Sequence, residues 1–366
     1  MWVLSIFHEV WVVLLTLSIV GVLYSKRCHT YWKKKRIFSP KTRPFFGNSQ
    51  NPLTRTTGVF QHLKGIYDEA KAKGEKHCGI YTYTVPVYMP IDLEYIKNIT
   101  AKDFQHFEDR GLYYNEKADP LSVHLVSVGG EKWRKLRTKL TPTFTSGKMR
   151  TMFPIVVSCA EKLVEVTRES LDEALDVKEI LGHFTTDVIG SCAFGLNCES
   201  FGDDESKFRE YGRRVFESSK RRILRTIFCM TFPELALFLN VAIIPREISE
   251  FFINVIKQTV KHREETRVDR EDFLKILMEM REGDGGGGEG LSVEEMAAQA
   301  FVFFLAGFET SSTTMAFCLF ELACHEEIQE KLREEIRCVT ANSEGIPSYE
   351  TMNEMKLLEQ VIYGTY

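Results

Sequence analysis

Residues Val10 to Tyr24 read VWVVLLTLSIVGVLY, fifteen residues without a charge. Trp2, Val3, Leu4, Ile6 and Phe7 extend this run upstream, with His8 and Glu9 as interruptions. As a helix, residues 1–24 reach about 36 Å at ~1.5 Å per residue, enough to cross a bilayer. A cleaved leader carries its positive charge before the apolar run. Here Lys26, Arg27, Lys33, Lys34, Lys35 and Arg36 follow it, against the single acid Glu9. The chain as a whole carries −4, so a basic neck joins an acidic body, as expected beside a membrane surface. The positive-inside rule then places the N-terminus in the lumen and the body in the cytosol. A cleaved leader or a buried helix is the competing reading.

After the neck's basic cluster comes Ser39-Pro40-Lys41-Thr42-Arg43-Pro44-Phe45-Phe46-Gly47-Asn48. Its two prolines fix φ and interrupt helix, which predicts a stiff neck. The division expected is an anchor at 1–25, a neck at 26–48 and one body from 49 to 366. With 44% hydrophobic and 27% charged residues, the body has the makeup of a folded globular chain. The net charge offers no basic field for nucleic acid. Nine cysteines, odd in number, irregular in spacing and without a CxxC pair, read as reduced thiols.

The body reads as mainly α with a small β-sheet. Phe60, Leu63, Ile66, Tyr67 and Ala70 recur at helical spacing over 59–74. Ile80–Val85 and Val87–Ile91 are β-rich and Pro-broken, and predict a short hairpin. The stretches 150–180, 204–221, 247–281 and 293–338 show helical apolar spacing. Ile227 to Ile244 is strongly apolar with one acid and one proline. It suits either a loop dipping into the same bilayer or a core helix pair. Glu282 to Gly290 is a glycine-rich linker. No strand precedes it, so a phosphate loop is excluded.

Ser292 and Glu295 form an S-x-x-E capping box ahead of a helix of about 30 residues, long enough to run through the centre of a body. It contains Phe303-Phe304-Leu305-Ala306-Gly307-Phe308-Glu309, then five hydroxyl residues, Thr310 to Thr314. An interior glycine costs about 1 kcal/mol, and hydroxyls that bond the preceding turn bend a helix. A small residue permits close approach, and a carboxylate beside a hydroxyl can pass protons. The plainer reading is a core helix with one exposed acid. Trp133 and Arg137, four apart, share a helix face. Their indole N–H and guanidinium suit one shared carboxylate; the alternative is the cation packed over the ring. GxSxG, P-loop and HExxH motifs are absent from the sequence. Phe194-Gly195-Leu196-Asn197-Cys198 has no basic residue before its cysteine and reads as structural.

In this order and spacing, three segments resemble the cytochromes P-450, most like the insect microsomal, family-six type. They are Pro44-Phe45-Phe46-Gly47-Asn48 after the anchor, Trp133/Arg137 with Thr141-Pro142-Thr143-Phe144, and Ala306-Gly307-Phe308-Glu309-Thr310-Ser311. The resemblance runs through residues 1–362. It implies a P-450-like helical fold with a haem cofactor, at the endoplasmic reticulum membrane with the body on the cytosolic side. Trp133 and Arg137 become haem-propionate ligands, and Ala306 and Gly307 the dioxygen-side wall. Glu309 and Thr310 become the acid–alcohol pair that delivers protons. Ile227–Ile244 becomes a membrane-touching lid. The partners implied are membrane lipid, an NADPH-dependent reductase and a lipophilic substrate that receives one oxygen atom.

The sequence departs from the family after Ile362. Gly364 stands where the E-x-x-R helix has its Glu, and the F-x-x-G-x-R-x-C-x-G loop is not found. That loop gives the axial thiolate. The expectation is a chain truncated before its haem ligand, with no metal ligand of its own, no stable thiolate-ligated haem and no turnover. The hairpin is expected to keep an unpaired edge. Two alternatives stand beside this. One is a non-catalytic anchored protein that binds the reductase; the other is an incomplete gene model of a longer, active protein.

Overall fold

The computed structural model describes residues 2–51, 54, 56–170, 174–196, 200–201, 207–217, 219–268, 270–282, 290–341 and 345–365, with backbone alone for 2–7. Asn197 and Cys198, most of the glycine linker, and Tyr366 lie outside the described residues. The chain opens with helix α1 (Trp2–Cys28), the short α2 (Tyr31–Lys34) and α3 (Val59–Ala72). Strands β1 (His77–Thr82) and β2 (Val85–Pro90) precede α4 (Leu93–Lys97). Then come α5 (Gly130–Leu140), α6 (Ser146–Glu169), α7 (Val177–Ile189) and α8 (Lys207–Phe216). Next are α9 (Lys220–Thr231), α10 (Pro233–Phe238), α11 (Arg246–Thr266) and α12 (Phe273–Glu282). The last four are α13 (Val293–Cys324), α14 (Glu326–Thr340), α15 (Tyr349–Met352) and α16 (Lys356–Gly364). The fold is mainly α, and β1 and β2 form the one sheet among the described residues.

Two compact units emerge, one of Met1–Arg110 with Ser218–Leu239, the other of Gly111–Glu217 with Asn240–Tyr366. In the first, β1 and β2 pair antiparallel from His77 opposite Pro90 to Thr82 opposite Val85. The sequence pattern placed the break at Pro86. The turn instead falls at Tyr83–Thr84, where Tyr83 takes φ 57°, and Pro86 sits within β2 opposite Tyr81. β2 tolerates it as an edge strand, where a missing N–H costs no ladder bond.

Among the described residues the hairpin keeps its unpaired edge at β2, while the neck closes the edge of β1. The Gly79 N–H donates to Phe38 O at 2.8 Å and the Asn48 N–H to Tyr81 O at 2.8 Å. Asn48 Oδ1 accepts the Tyr81 N–H at 2.9 Å. Buried Trp32 fastens the same strand: its indole donates to Ile80 O and its backbone N–H to the Tyr81 hydroxyl, both at 2.9 Å. Gly79 is required beneath this ring, since a Cβ there would lie 2.2 Å from the indole. The end of α1 joins in. Buried Ser25 accepts the Phe45 N–H at 2.9 Å, and His29 Nε2 meets Tyr83 O at 2.8 Å. The neck is thus part of the sheet's packing as well as stiff in sequence.

Both α1 and α13 are long and apolar enough to cross a membrane. Their surroundings separate them. Trp11, Leu15, Leu17 and Leu23 of α1 are exposed, whereas Met296, Ala297, Phe301 and Phe304 of α13 are fully buried. The apolar stretch from Ile227 forms a helix pair, α9 and α10, as one reading required. Its outer side nevertheless exposes Phe232, Leu235, Leu237, Phe238 and Leu239, so it is not a core pair.

In the larger unit, the helical stretches read from sequence divide where the backbone leaves α geometry. The stretch 247–281 breaks at Arg267, with φ 54°, and 293–338 breaks at His325. The predicted capping box holds: Ser292 Oγ accepts the Glu295 N–H at 3.1 Å, and Glu295 accepts the Ser292 N–H at 3.0 Å. α13 sinks one face into an aromatic core. Phe304 packs edge-on to Phe208 at 5.2 Å, near Phe252 at 5.3 Å, and Phe208 packs edge-on to Phe194 at 4.9 Å. Each buried Phe contributes about 1.5–3 kcal/mol. Gly212 makes room, since a Cβ there would lie 2.3 Å from the Phe304 ring. Arg263 and Asp272, both buried, form a two-pronged pair at 2.9 and 2.5 Å that ties α11 to the start of α12. Glu335 of α14 caps α16 by accepting the Leu357 and Leu358 N–H groups at 2.9 and 3.0 Å.

Trp32→Ala should cost about 3–5 kcal/mol in denaturant melts followed by circular dichroism, while Trp32→Phe, which loses mainly the bond to Ile80, should cost about 1 kcal/mol. Asp272→Ala strands a buried guanidinium and should cost about 3–5 kcal/mol in the same melts.

Candidate functional site

α13 positions most of the candidate residues. It stays α-helical through the hydroxyl run, so five poor helix formers do not break it. They bond backward instead: Thr310 Oγ1 to Ala306 O, and Ser312 Oγ to Phe308 O at 3.0 Å. The Phe308 carbonyl also accepts Thr185 Oγ1 of α7 at 3.0 Å. Phe304, Phe308 and Ser312 are buried, while Ala306 and Thr310, in the same turns, are exposed. A long core helix therefore leaves one side exposed, with a methyl group and a hydroxyl at this level and Phe317 and Phe320 farther along.

Gly307 has a different neighbour. A Cβ there would lie 3.0 Å from Ile189 Cδ1, so its small size lets α7 approach α13. These two helices share the most extensive helix–helix contact among the described residues. Glu309 also turns toward α7. Its carboxylate lies 3.0 Å from Lys178 Nζ, and the same ammonium donates to Ser312 Oγ and Thr313 Oγ1, both at 2.7 Å. Glu309 and Thr310 are not hydrogen-bonded to each other. Nothing in the local sequence marks Lys178 as the partner of a residue 131 positions later.

α5 carries the second pair. Its N-terminal half packs through Trp133 and Leu136 on Val123 and Val128. Lys132 bridges Glu116 at 2.8 Å and Glu295, in the first turn of α13, at 3.6 Å. Trp133 is half-buried, and Arg137, one turn on, is exposed. The Arg137 guanidinium has no hydrogen-bond, ion-pair or ring partner among the described residues. The cation packed on the indole is thus not the arrangement formed. A five-donor fork beside an indole stands open, a donor set suited to carboxylates.

The loop before α5 was opaque in sequence. It is fixed by Gln299 of α13, whose Oε1 accepts the Leu125 N–H at 2.9 Å and whose Nε2 donates to Val123 O at 3.2 Å. A lone amide in the apolar run Ala297–Val302 was the signal available. Between the two held residues lies His124, whose imidazole is pushed down to about 4 by burial. The thiols with displaced acidity all lean the same way. Burial raises Cys78 and Cys159 and pushes Cys192 up to about 11. A hydrogen bond to Glu334 raises Cys338. None of these four sits in surroundings that favour a thiolate.

His124 makes stability pH-dependent. The unfolded chain takes up a proton near 6.5, which the folded imidazole refuses until about 4. The contribution is therefore complete above pH 6.5 and is lost as pH falls toward 4, by up to about 3 kcal/mol. Urea melts across that window should show this slope in the wild type and a flatter one in His124→Gln.

The Cytochrome P450 family model matches residues 39–365. The chain is 40% identical to "Probable cytochrome P450 6a20" of Drosophila melanogaster over 95% of its own length and 71% of that protein's. It is 37% identical to "Cytochrome P450 6a2" of the same species over 95% and 71%. It is also 40% identical to "Cytochrome P450 6A1" of Musca domestica over 92% and 66%. A family model over residues 39–365 and these relatives, matched over nearly the whole chain, lead to one assignment: the chain belongs to the cytochrome P450 family of monooxygenases.

Proposed function

We propose that the chain serves the oxidation of lipophilic small molecules, xenobiotic or endogenous, at the cytosolic face of the endoplasmic reticulum. An NADPH-dependent reductase supplies the electrons. The observation that carries this reading is the open face of α13 at Ala306 and Thr310, within the unit that also holds the unpartnered Arg137 fork. Both features fit a haem: a flat apolar group needs a helix face free of bulk, and its carboxylates need cationic donors. When bound, haem supplies the one-electron and dioxygen chemistry. Trp133 and Arg137 would hold its propionates, and Ala306 would form the wall of the reacting side, while Gly307, expected from the sequence to share that wall, meets Ile189 and would serve by letting α7 approach.

The chain's own residues bind, orient and move protons. Lys178 holds the Glu309 carboxylate and donates to the hydroxyls of Ser312 and Thr313. This polar chain ends one residue from Thr310, whose hydroxyl lies on the open side. Glu309 and Thr310 are the acid and alcohol that pass protons toward that side. In the functional division, residues 1–25 anchor, 26–48 orient and 49–366 carry the site. Exposed Leu235, Leu237 and Phe238 on α10 suit the membrane-touching lid.

The ligand that completes haem chemistry in this family is a cysteine thiolate within F-x-x-G-x-R-x-C-x-G, a run not found in residues 1–366. Cys78, Cys159, Cys192 and Cys338 are held toward the thiol. A polypeptide of these 366 residues alone is therefore proposed to form no thiolate-ligated haem and to be inactive. A second reading, a non-catalytic anchored protein that binds the reductase, is favoured by the exposed bases Arg134, Lys135 and Lys139 on α5.

The test is the reduced carbon monoxide spectrum of residues 1–366 expressed in microsomes. The spectrum should lack the thiolate-type band; its presence would sink the proposal of inactivity. In a chain carrying the family's cysteine loop, Arg137→Leu should weaken haem retention by about 1.5–3 kcal/mol, the size of a lost charge-assisted bond, in haem transfer to apomyoglobin.

A further inference from the structure

We infer that Gln299 is a positioning residue for the substrate side of the site: its amide clamps the loop Leu121–Val128, with His124, onto α13. This rests on the reading of Ala306 and Thr310 as the reacting face. Gln299 is fully buried, with Ala298, Ala300 and Phe301 as its neighbours in the helix. An unpaired amide in such a setting is strongly disfavoured, and this one is fully paired. Its oxygen accepts the Leu125 N–H at 2.9 Å; its nitrogen donates to Val123 O at 3.2 Å and Glu295 O at 3.4 Å.

Only a side chain that both donates and accepts can hold two backbone groups of opposite polarity on either side of one residue. Leucine or methionine satisfies neither. Asparagine is one methylene short. The clamp spans 174 and 176 positions in sequence, so it fixes a distant loop to a chosen turn of α13. That turn lies seven residues before Ala306, or about 10 Å along the axis.

Inside the loop, Ser122 and Ser127 tie further polar groups together. Ser127 Oγ accepts the His124 N–H at 3.2 Å and meets His124 Nδ1 at 3.2 Å. Ser122 Oγ accepts the Asn115 N–H at 3.0 Å. The loop is thus a rigid piece seated by one amide, and its seat sets how much room remains beside the open face. Gln299 thereby governs the size of lipophilic substrate accepted.

Hydrogen exchange of the full chain in lipid nanodiscs, read peptide by peptide, tests the clamp. Gln299→Met keeps the side chain's length and removes both bonds to the loop. The peptide bearing Leu125 should exchange about tenfold faster, the size expected for two lost neutral hydrogen bonds, while α11 is unchanged. Val302→Ala loosens the same helix while leaving the Gln299 bonds to Leu125 and Val123 in place and should leave that peptide at its wild-type rate. An unchanged loop in Gln299→Met, or equal acceleration in Val302→Ala, overturns the clamp.

The second readout is the affinity ratio for a long against a short dansyl fatty acid. Gln299→Met should shift it about tenfold toward the long probe, whereas a purely structural role leaves it fixed. A loosened loop with an unchanged ratio overturns the substrate role. Failure of the wild type to bind either probe counts against the lipophilic site itself, and the exchange arm then decides the clamp separately.

Discussion

Helix α13 can turn Ala306 and Thr310 outward because its opposite face is locked into phenylalanine. Phe301 and Phe304 cannot leave their contacts with Phe194, Phe208 and Phe252, nor Phe308 its contacts with Phe304 and Phe216, without exposing several large apolar surfaces at once. That burial fixes the helix's rotation, and rotation decides which residues face the core and which the open side. A turn of about 100° per residue separates Ala306 from Gly307. The first is therefore left open while the second meets Ile189. The site depends on this one constraint, and the polar contacts refine it. Lys178 draws Glu309 toward α7, and Gln299 seats the loop before α5.

Much of this was legible in the sequence for definite reasons. The Ser292/Glu295 box and the dense apolar run announced α13, because capping and burial act within a few residues. Trp133 and Arg137 could be placed on one helix face from spacing alone. Lys178 could not be anticipated, since its partners lie on another helix and it carries no motif. Gln299 left a faint trace, an amide where every neighbour is apolar, but its partners are backbone atoms that any sequence supplies. The neck shows the same limit. Pro40 and Pro44 forecast stiffness, while the bonds from Gly79 to Phe38 and from Asn48 to Tyr81 O use main-chain groups that leave no mark on residue choice; the Asn48 side chain, which accepts the Tyr81 N–H, is the residue-specific part. The hairpin turn was misplaced because Pro86 signals a break more strongly than Tyr83 signals a positive φ.

The two ends of the functional reading rest on different physics. Anchoring is proposed for α1, a candidate membrane span whose apolar side chains are exposed, tied by Ser25 to a neck that packs on β1 through Trp32. Chemistry is proposed for the larger unit, where the exposed Arg137 guanidinium and the exposed α13 residues Ala306 and Thr310 suit a flat, acidic, apolar group. Kinship with insect members of the P450 family joins them, since a membrane-held oxidase meets lipophilic molecules where they concentrate.

The most direct test is cysteine labelling in a background freed of native cysteines. Ala306→Cys and Ser312→Cys are compared for maleimide reactivity, with and without excess haemin. The account predicts ready labelling at 306, suppressed by haemin, and little labelling at 312, where the serine is fully buried. Equal reactivity at the two positions, or labelling at 306 that haemin leaves unchanged, would contradict it.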